Sequence, residues 1–209
     1  MINKSKVNLT GFLIYLKHHV PFIWKMVEIL NSLLFRLLYG QRIRQVVGEV
    51  IARSELPGYV FRRLEKNDLP ELERLLRSQP AEKVAFFKPH GFGRKSLEAV
   101  YANPAFPMMG VFDGSRMAGY FFLRCFWNKK CFVGRLVDTP YEGRGLGRAM
   151  NGILYPIAWQ MGFRCLSTIS KNNRDVMRSH AGNPAMRIVK ELSGDYMLVE
   201  FVDVKLTNG

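Results

Sequence analysis

Three glycines, Gly143, Gly145 and Gly147, alternate with Arg144 and Leu146 in a stretch that closes on Arg148. Small residues let a backbone come close to a ligand. The first amides of a helix have no partner inside it and suit an anion. With two arginines at the same spot, the chemistry on offer is a cradle for a phosphate or diphosphate. A P-loop is excluded, because no Lys-Ser/Thr pair follows the last glycine. The dinucleotide fingerprint is excluded, because the third glycine comes one residue too soon. Two histidines could move protons. His90 lies in an aromatic segment interrupted by Pro89 and Gly91. That segment is either the wall of an acceptor pocket or a hydrophobic loop covering a sheet, with the histidine hydrogen-bonded and inert. His180 ends a helix-like run that Asn173 can cap. It is either a group titrating near neutral pH or a surface histidine.

These residues need elements to hold them. A strand-like run, Cys131 to Val137, enters the glycine stretch, with Asp138 at its end. A helix-like run leaves it, because Leu146, Ala149, Met150, Ile153, Leu154, Ile157, Ala158 and Met161 share one helical face. Pro156 inside that run deletes a backbone hydrogen bond and is expected to kink the helix, with Gly152 making room for the ring. Upstream, Tyr59 to Leu64 reads as a strand, and Leu69, Leu72, Leu75 and Leu76 as a helix ending near Pro80. A helix spans Arg94 to Ala102. Strands follow at Met108 to Phe112 and Met117 to Trp127, joined by an Asp113-Gly114 hairpin turn. Asn128-Lys129-Lys130 turns the chain back. Further strands are expected over Cys165 to Ile169, Met186 to Lys190 and Tyr196 to Val204. Hairpin neighbours are antiparallel, and the helical crossover into Cys165 makes a parallel pair. The fold class is α/β of the α+β type, a mixed, mostly antiparallel sheet flanked by helices.

The chain has 209 residues and a formal net charge of +14. That balance suits acidic partners or simple solubility. No nucleic-acid recognition motif accompanies the charge, and no metal-ligand spacing appears. Cys125, Cys131 and Cys165 lack zinc-type spacing and read as buried thiols of a reducing compartment, with Cys125 and Cys131 near each other across a turn.

Residues 1–56 form an amphipathic amino-terminal region and residues 57–209 a second unit, with Pro57-Gly58 at the boundary. Val7 to Leu16 is uncharged but too short to span a bilayer, and no cleavage site follows, so neither a transmembrane helix nor secretion is expected. From Phe22 to Leu38 apolar residues repeat at three and four. Gly40 is expected to end that helix, with a second running from Gln41 to Arg53. One reading is a helical hairpin packed on the main domain or on a second subunit, as in a homodimer. The other is an in-plane helix on an anionic membrane surface through residues 9–53, with Trp24 and cations at its margins. That reading places the protein in the cytoplasm, peripheral on the inner membrane face.

The stretch from Val137 to Gly147 resembles the acetyl-coenzyme A loop of the GNAT N-acetyltransferase superfamily, Val-x-x-x-Tyr-Arg/Gln-Gly-x-Gly-x-Gly/Ala. Val137, Tyr141, Gly143, Gly145 and Gly147 stand in register; Glu142 departs, occupying the place of Arg or Gln. A carboxylate beside a diphosphate needs compensation, for which Arg144 and Arg148 are at hand. The segment Phe86-Phe87-Lys88-Pro89-His90 is also similar to GNAT-like proteins of bacterial surface-polysaccharide biosynthesis. The resemblance implies acetyl transfer from acetyl-CoA, as co-substrate and without a metal, to a primary amine. An amino sugar or similar small molecule is the expected acceptor, and a protein amine the alternative. A non-catalytic membrane-associated or interaction protein that keeps the fold is the alternative of another class. The cofactor residues implied are Leu136, Val137, Glu142, Gly143, Arg144, Gly145, Leu146, Gly147, Arg148 and Asn173. The amides near Leu136-Val137 would face the thioester oxygen. His90 or Asp138 would serve as base, and His180 as the acid in place of the family's usual tyrosine.

Overall fold

The computed structural model describes residues 21–204 of the chain, with side chains from Lys25 on; the expectations for Val7 to Leu16 and Trp24 lie outside what is described. The elements in order are α1 (Pro21–Ala52), β1 (Val60–Arg63), α2 (Leu69–Arg77), α3 (Ala81–Val84), α4 (Arg94–Tyr101), β2 (Met108–Asp113), β3 (Arg116–Phe126), β4 (Lys130–Val137), α5 (Leu146–Gln160), β5 (Arg164–Ser170), α6 (Arg174–His180), β6 (Met186–Glu191) and β7 (Tyr196–Phe201). One seven-stranded sheet has the order β1-β2-β3-β4-β5-β7-β6. Every neighbouring pair is antiparallel except β4 and β5. The expected hairpins form where residues with positive φ allow them, Gly114 at 57° and Lys129 at 59°.

The sheet is covered on both faces, which is why β3 is buried along nearly its whole length. On one face α2 and α4 bring Leu69, Leu72, Leu75, Leu76 and Leu97 against Tyr120, Phe122 and Leu136. On the other, α5 brings Leu146, Met150, Ile153, Leu154 and Ile157 against Phe121, Leu123, Val133 and Ile169. Cys125, Cys131 and Cys165 lie in register across β3, β4 and β5 under α5. All three are buried and free.

The amino-terminal region corrects one expectation and agrees with another, packing on the main domain. Gly40 does not end a helix; α1 runs unbroken through it, so the expected helical hairpin does not form among the described residues. From Phe35 onward α1 also shares the core of the sheet, with Phe35, Ile43, Val46, Val47 and Val50 buried. The Phe35 ring meets Tyr39 and Phe163 at centroid distances of 5.5 and 6.1 Å. Polar contacts fix the helix in place. Asn31 donates to the Cys125 carbonyl (3.1 Å) and accepts from the Trp127 amide (3.1 Å). Glu28 pairs with Arg124 at 2.8 Å, and Arg42 donates to the Gln160 carbonyl at 2.8 Å. The opposite side of the same helix leaves Met26, Leu30, Leu33 and Leu37 exposed. No described helix is long and apolar enough to cross a membrane.

In α5 the helix continues past Pro156 to Gln160. A Cβ on Gly152 would meet no side chain within 4 Å, so the proline ring does not require a glycine there. Because α1 and the sheet share one core, Phe35→Ala should lower stability by about 3–5 kcal/mol. Urea unfolding followed by circular dichroism should show one transition moving as a whole, rather than early melting of α1 alone.

Candidate functional site

The chain leaves β4, makes a 3-10 turn over Thr139–Tyr141 and enters α5 through the glycines. Gly143 and Gly145 have φ of 75° and 80°, a conformation that side-chain-bearing residues rarely adopt, and a Cβ on either would meet nothing within 4 Å. The loop therefore stands open. Gly147 has another reason: a Cβ there would approach the Arg135 guanidinium. The first intrahelical bond is from the Ala149 amide to the Gly145 carbonyl, at 3.1 Å. Among the described residues, the six amides from Gly143 to Arg148 donate no hydrogen bond. They form a continuous run of free donors at the positive end of a 15-residue helix.

Beside this mouth the sheet opens. The β4–β5 ladder covers three positions, Lys130↔Arg164, Cys131↔Cys165 and Phe132↔Leu166. One further tie, from the Ser167 hydroxyl to the Val133 carbonyl at 3.2 Å, holds the strands as they part. Among the described residues, β4 then runs on to Val137 without a partner strand on that side. The Asp138 amide bonds Ala118 of β3 at 2.8 Å, and alternation along an antiparallel pair sends the Val137 amide the other way, toward the gap. The Leu136 amide belongs to the β3 ladder opposite Tyr120. Of the two amides expected at the thioester, only that of Val137 faces the opening.

The loop is held by charges the sequence did not reveal. Lys83 of α3 pairs with Glu142 and donates to the Val137 carbonyl at 2.6 Å. The compensating cation for Glu142 is thus Lys83, not Arg144 or Arg148; Arg144 donates to the Tyr59 hydroxyl at 3.5 Å, and neither arginine forms an ion pair among the described residues. Arg144 lies over the Tyr141 ring at 4.9 Å, and Arg148 is exposed. Tyr141 is buried and donates to Asp113 at 3.0 Å, fixing the loop to the β2–β3 turn. Asp138 is a buried node. Its carboxylate accepts from Gln79 at 2.7 Å and from Arg116 at 3.2 Å, and lies 3.6 Å from Arg74.

No family model matches the sequence, and no curated protein matches it. Solved structures do resemble the fold. The PaiA N-acetyltransferase of Thermoplasma acidophilum, in complex with coenzyme A, superposes with a TM-score of 0.58 over 69% of this chain and 99% of its own, at 14% identity. The GNAT domain of S. lividans PAT gives 0.59 over 68% and 88%, at 13% identity. The ribosomal-protein-S5-alanine acetyltransferase of Vibrio fischeri gives 0.55 over 72% and 96%, at 14% identity. This chain has the GNAT acetyltransferase fold.

The three titratable candidates are not brought together. His90 lies on the face of the sheet carrying α2 and α4, within an aromatic cluster that includes Phe92, Phe106, Tyr120 and Phe122. Its Nδ1 meets the Gly91 carbonyl at 2.9 Å and its Nε2 the Tyr120 hydroxyl at 3.0 Å. A carbonyl only accepts, so Nδ1 carries the proton and Nε2 accepts from Tyr120. Burial lowers the imidazole below its usual value and keeps it neutral. Asp138 has both carboxylate oxygens engaged, which suits an anchor better than a base. His180 is buried on the α5 face, its ring 5.1 Å from that of Phe201. Burial, reinforced by the charge of Arg135, lowers it to about 4. It is therefore neither a surface histidine nor a proton donor at neutral pH. Asn173 caps α6, accepting from the Val176 amide at 3.2 Å.

Sequence reasoning missed Arg135. It points from β4 under the helix mouth and donates to Asn151 of α5 at 2.7 Å and Ser179 of α6 at 3.2 Å. Its alternate position on the strand was the available signal, a cation among inward-facing residues Cys131, Val133 and Val137.

The His180 shift fixes a pH dependence. Between 6.5 and about 4 the unfolded chain binds a proton that the folded chain refuses. Stability attributable to this residue is intact above the unfolded value and falls as pH drops toward 4, by about 3 kcal/mol in all. Thermal melts should lose stability more steeply over that window in the wild type than in His180→Leu.

Proposed function

We propose that the protein is an N-acetyltransferase that moves an acetyl group directly from acetyl-CoA to a primary amine. The observation that supports this most is the run of unpartnered amides, Gly143 to Arg148, at the mouth of the gap between β4 and β5. The loop residues bind the diphosphate through those amides, with Arg144 and Arg148 flanking it. The pantetheine arm follows the gap toward Val137, whose amide donates to the thioester oxygen as charge builds there. No metal is needed, and among the described residues no cluster of His, Cys, Asp and Glu could hold one.

The acceptor approaches from the aromatic side. His90 is the base in this reading: the incoming ammonium donates to Nε2 in place of the Tyr120 hydroxyl, and the neutral amine attacks. A nitrogen–carbon bond forms and the carbon–sulfur bond breaks; the second proton of the attacking nitrogen is lost to solvent, and the departing coenzyme A thiolate takes a proton from solvent, which leaves the amide, the free thiol and the proton held by His90. Asp138 positions the loop rather than reacting. The phenyl and phenol faces around His90 suit the apolar face of a sugar ring, and the surplus of positive charge favours acceptors that carry phosphate. An amino sugar or similar small amine is thus the acceptor class we assign, with a peptide amine as the competing substrate. The exposed stripe Met26, Leu30, Leu33 and Leu37 fits work at an anionic membrane surface; a second copy of the chain could cover the same stripe.

Incubation with acetyl-CoA and a panel of amino sugars should release thiol above background, and a matched panel of peptides should release less. Gly145→Ala should weaken coenzyme A binding at least tenfold in calorimetry, because the required φ is strained for alanine. His90→Gln should lower kcat by about 10²–10⁴ while leaving coenzyme A affinity unchanged. No thiol release with any amine, or an equal loss of coenzyme A affinity in His90→Gln, would refute these assignments.

A further inference from the structure

Away from the glycine loop, a cavity of about 240 Å³ lies between α1, β1 and the segment after α4. Arg36 and Arg44 reach it from α1 and Arg63 from β1; Tyr101, Asn103 and Phe106 complete the part that matters here. Among the described residues no Asp or Glu lines it. Among the described residues none of the three arginines forms an ion pair, whereas Arg62, Arg74, Arg94, Arg116, Arg124 and Arg164 all do. Unpaired arginines are common in so basic a chain, but three converging on one concavity repel one another. Burial and the neighbouring charge of Arg44 lower the Arg63 guanidinium from its usual value. Such an arrangement is costly while empty and is relieved by an anion.

The cavity's other groups suit the same ligand. Asn103 accepts from the Ala105 amide through Oδ1 at 2.9 Å, which leaves its amide nitrogen as a donor. Phe106 lines the cavity and also stacks on Phe122 at 4.8 Å, so the cavity adjoins the aromatic cluster around His90 through that ring. Arg36 and Arg44 are two helical turns apart on α1 with Gly40 between them, and a Cβ at Gly40 would already lie 3.5 Å from the Arg36 side chain. Helical spacing also puts Arg44 on the side of α1 that carries the exposed Leu33 and Leu37.

We infer that Arg36, Arg44 and Arg63 form a second anion site that binds a phosphate monoester or diphosphate, distinct from the glycine loop. Planar guanidinium groups bind phosphate oxygens in pairs, and three of them suit a group with several charged oxygens. The phosphate belongs either to a soluble ester or to a lipid headgroup whose chains lie along the apolar stripe of α1. The site does not depend on acetyl transfer.

The test uses the full chain carrying Arg144→Gln and Arg148→Gln, so that the loop no longer dominates phosphate binding. Calorimetry with pyrophosphate should still report binding in that background. Adding Arg44→Gln or, separately, Arg63→Gln should weaken it at least tenfold, with circular dichroism melts confirming that each variant folds. Co-sedimentation with phosphatidic acid vesicles, competed by pyrophosphate and absent with phosphatidylcholine vesicles, assigns the phosphate to a headgroup. Protein left in the supernatant with the pyrophosphate heat intact assigns it to a soluble ester. The inference is overturned if the loop background binds no pyrophosphate, or if Arg44→Gln and Arg63→Gln both bind as well as their parent.

Discussion

The structure turns on a hydrogen-bond ladder that stops. β4 and β5 pair over three positions and then part, so the central sheet of a well-packed domain contains a slot rather than a seam. A buried strand edge with unpaired polar groups is costly unless something else satisfies them. Here the carbonyl of Val137 is taken by Lys83, and its amide is left facing the opening. The helix that follows starts with amides that have no partner. Slot and helix mouth adjoin because one short loop joins them, and only a loop with positive φ at two positions makes the turn. Backbone geometry, more than any single side chain, creates the open slot and the run of free donors on which the proposed acetyl-CoA site rests.

Side chains keep that geometry rigid. Asp138 draws the turn after α2, the start of β3 and the end of β4 onto one carboxylate through Gln79, Arg116 and Arg74. Lys83 ties α3 to the loop and neutralises Glu142. Tyr141 anchors the loop to the β2–β3 turn. Arg144 and Arg148 beside the helix mouth are exposed and form no ion pair among the described residues, so an anion arriving there, as proposed, would meet positive charge without displacing one. In the proposed function, preorganisation of this kind would let binding energy go into orienting the thioester rather than into ordering the loop.

Much of the fold was legible in the sequence because its signals were local. The Asp113-Gly114 turn, the alternation of β4 and the single apolar face of α5 each depend on neighbours in sequence, and each element forms where expected. The glycine loop was legible for the same reason. What was missed depends on contacts across long separations. The salt bridge from Lys83 to Glu142 spans 59 positions, and nothing near Lys83 marks it. Gly40 looked like a helix end, yet the buried contacts of Val46, Val47 and Val50 on the sheet carry the helix through it, so packing overrides local propensity. His180 looked exposed because it ends a short polar helix; the ring of Phe201 covers it. Asp138 lies at the end of the splaying strand, but its partners come from α2, the turn after it and the start of β3.

Amide hydrogen exchange, resolved residue by residue with and without coenzyme A, tests the central claim most directly. The account predicts fast exchange at Gly143 to Arg148 in the free protein and clear slowing at those same amides, and at Val137, when coenzyme A is added, with the rest of α5 unchanged. Amides in the loop that are already protected in the free protein, or that exchange at the same rate in saturating coenzyme A, would contradict it.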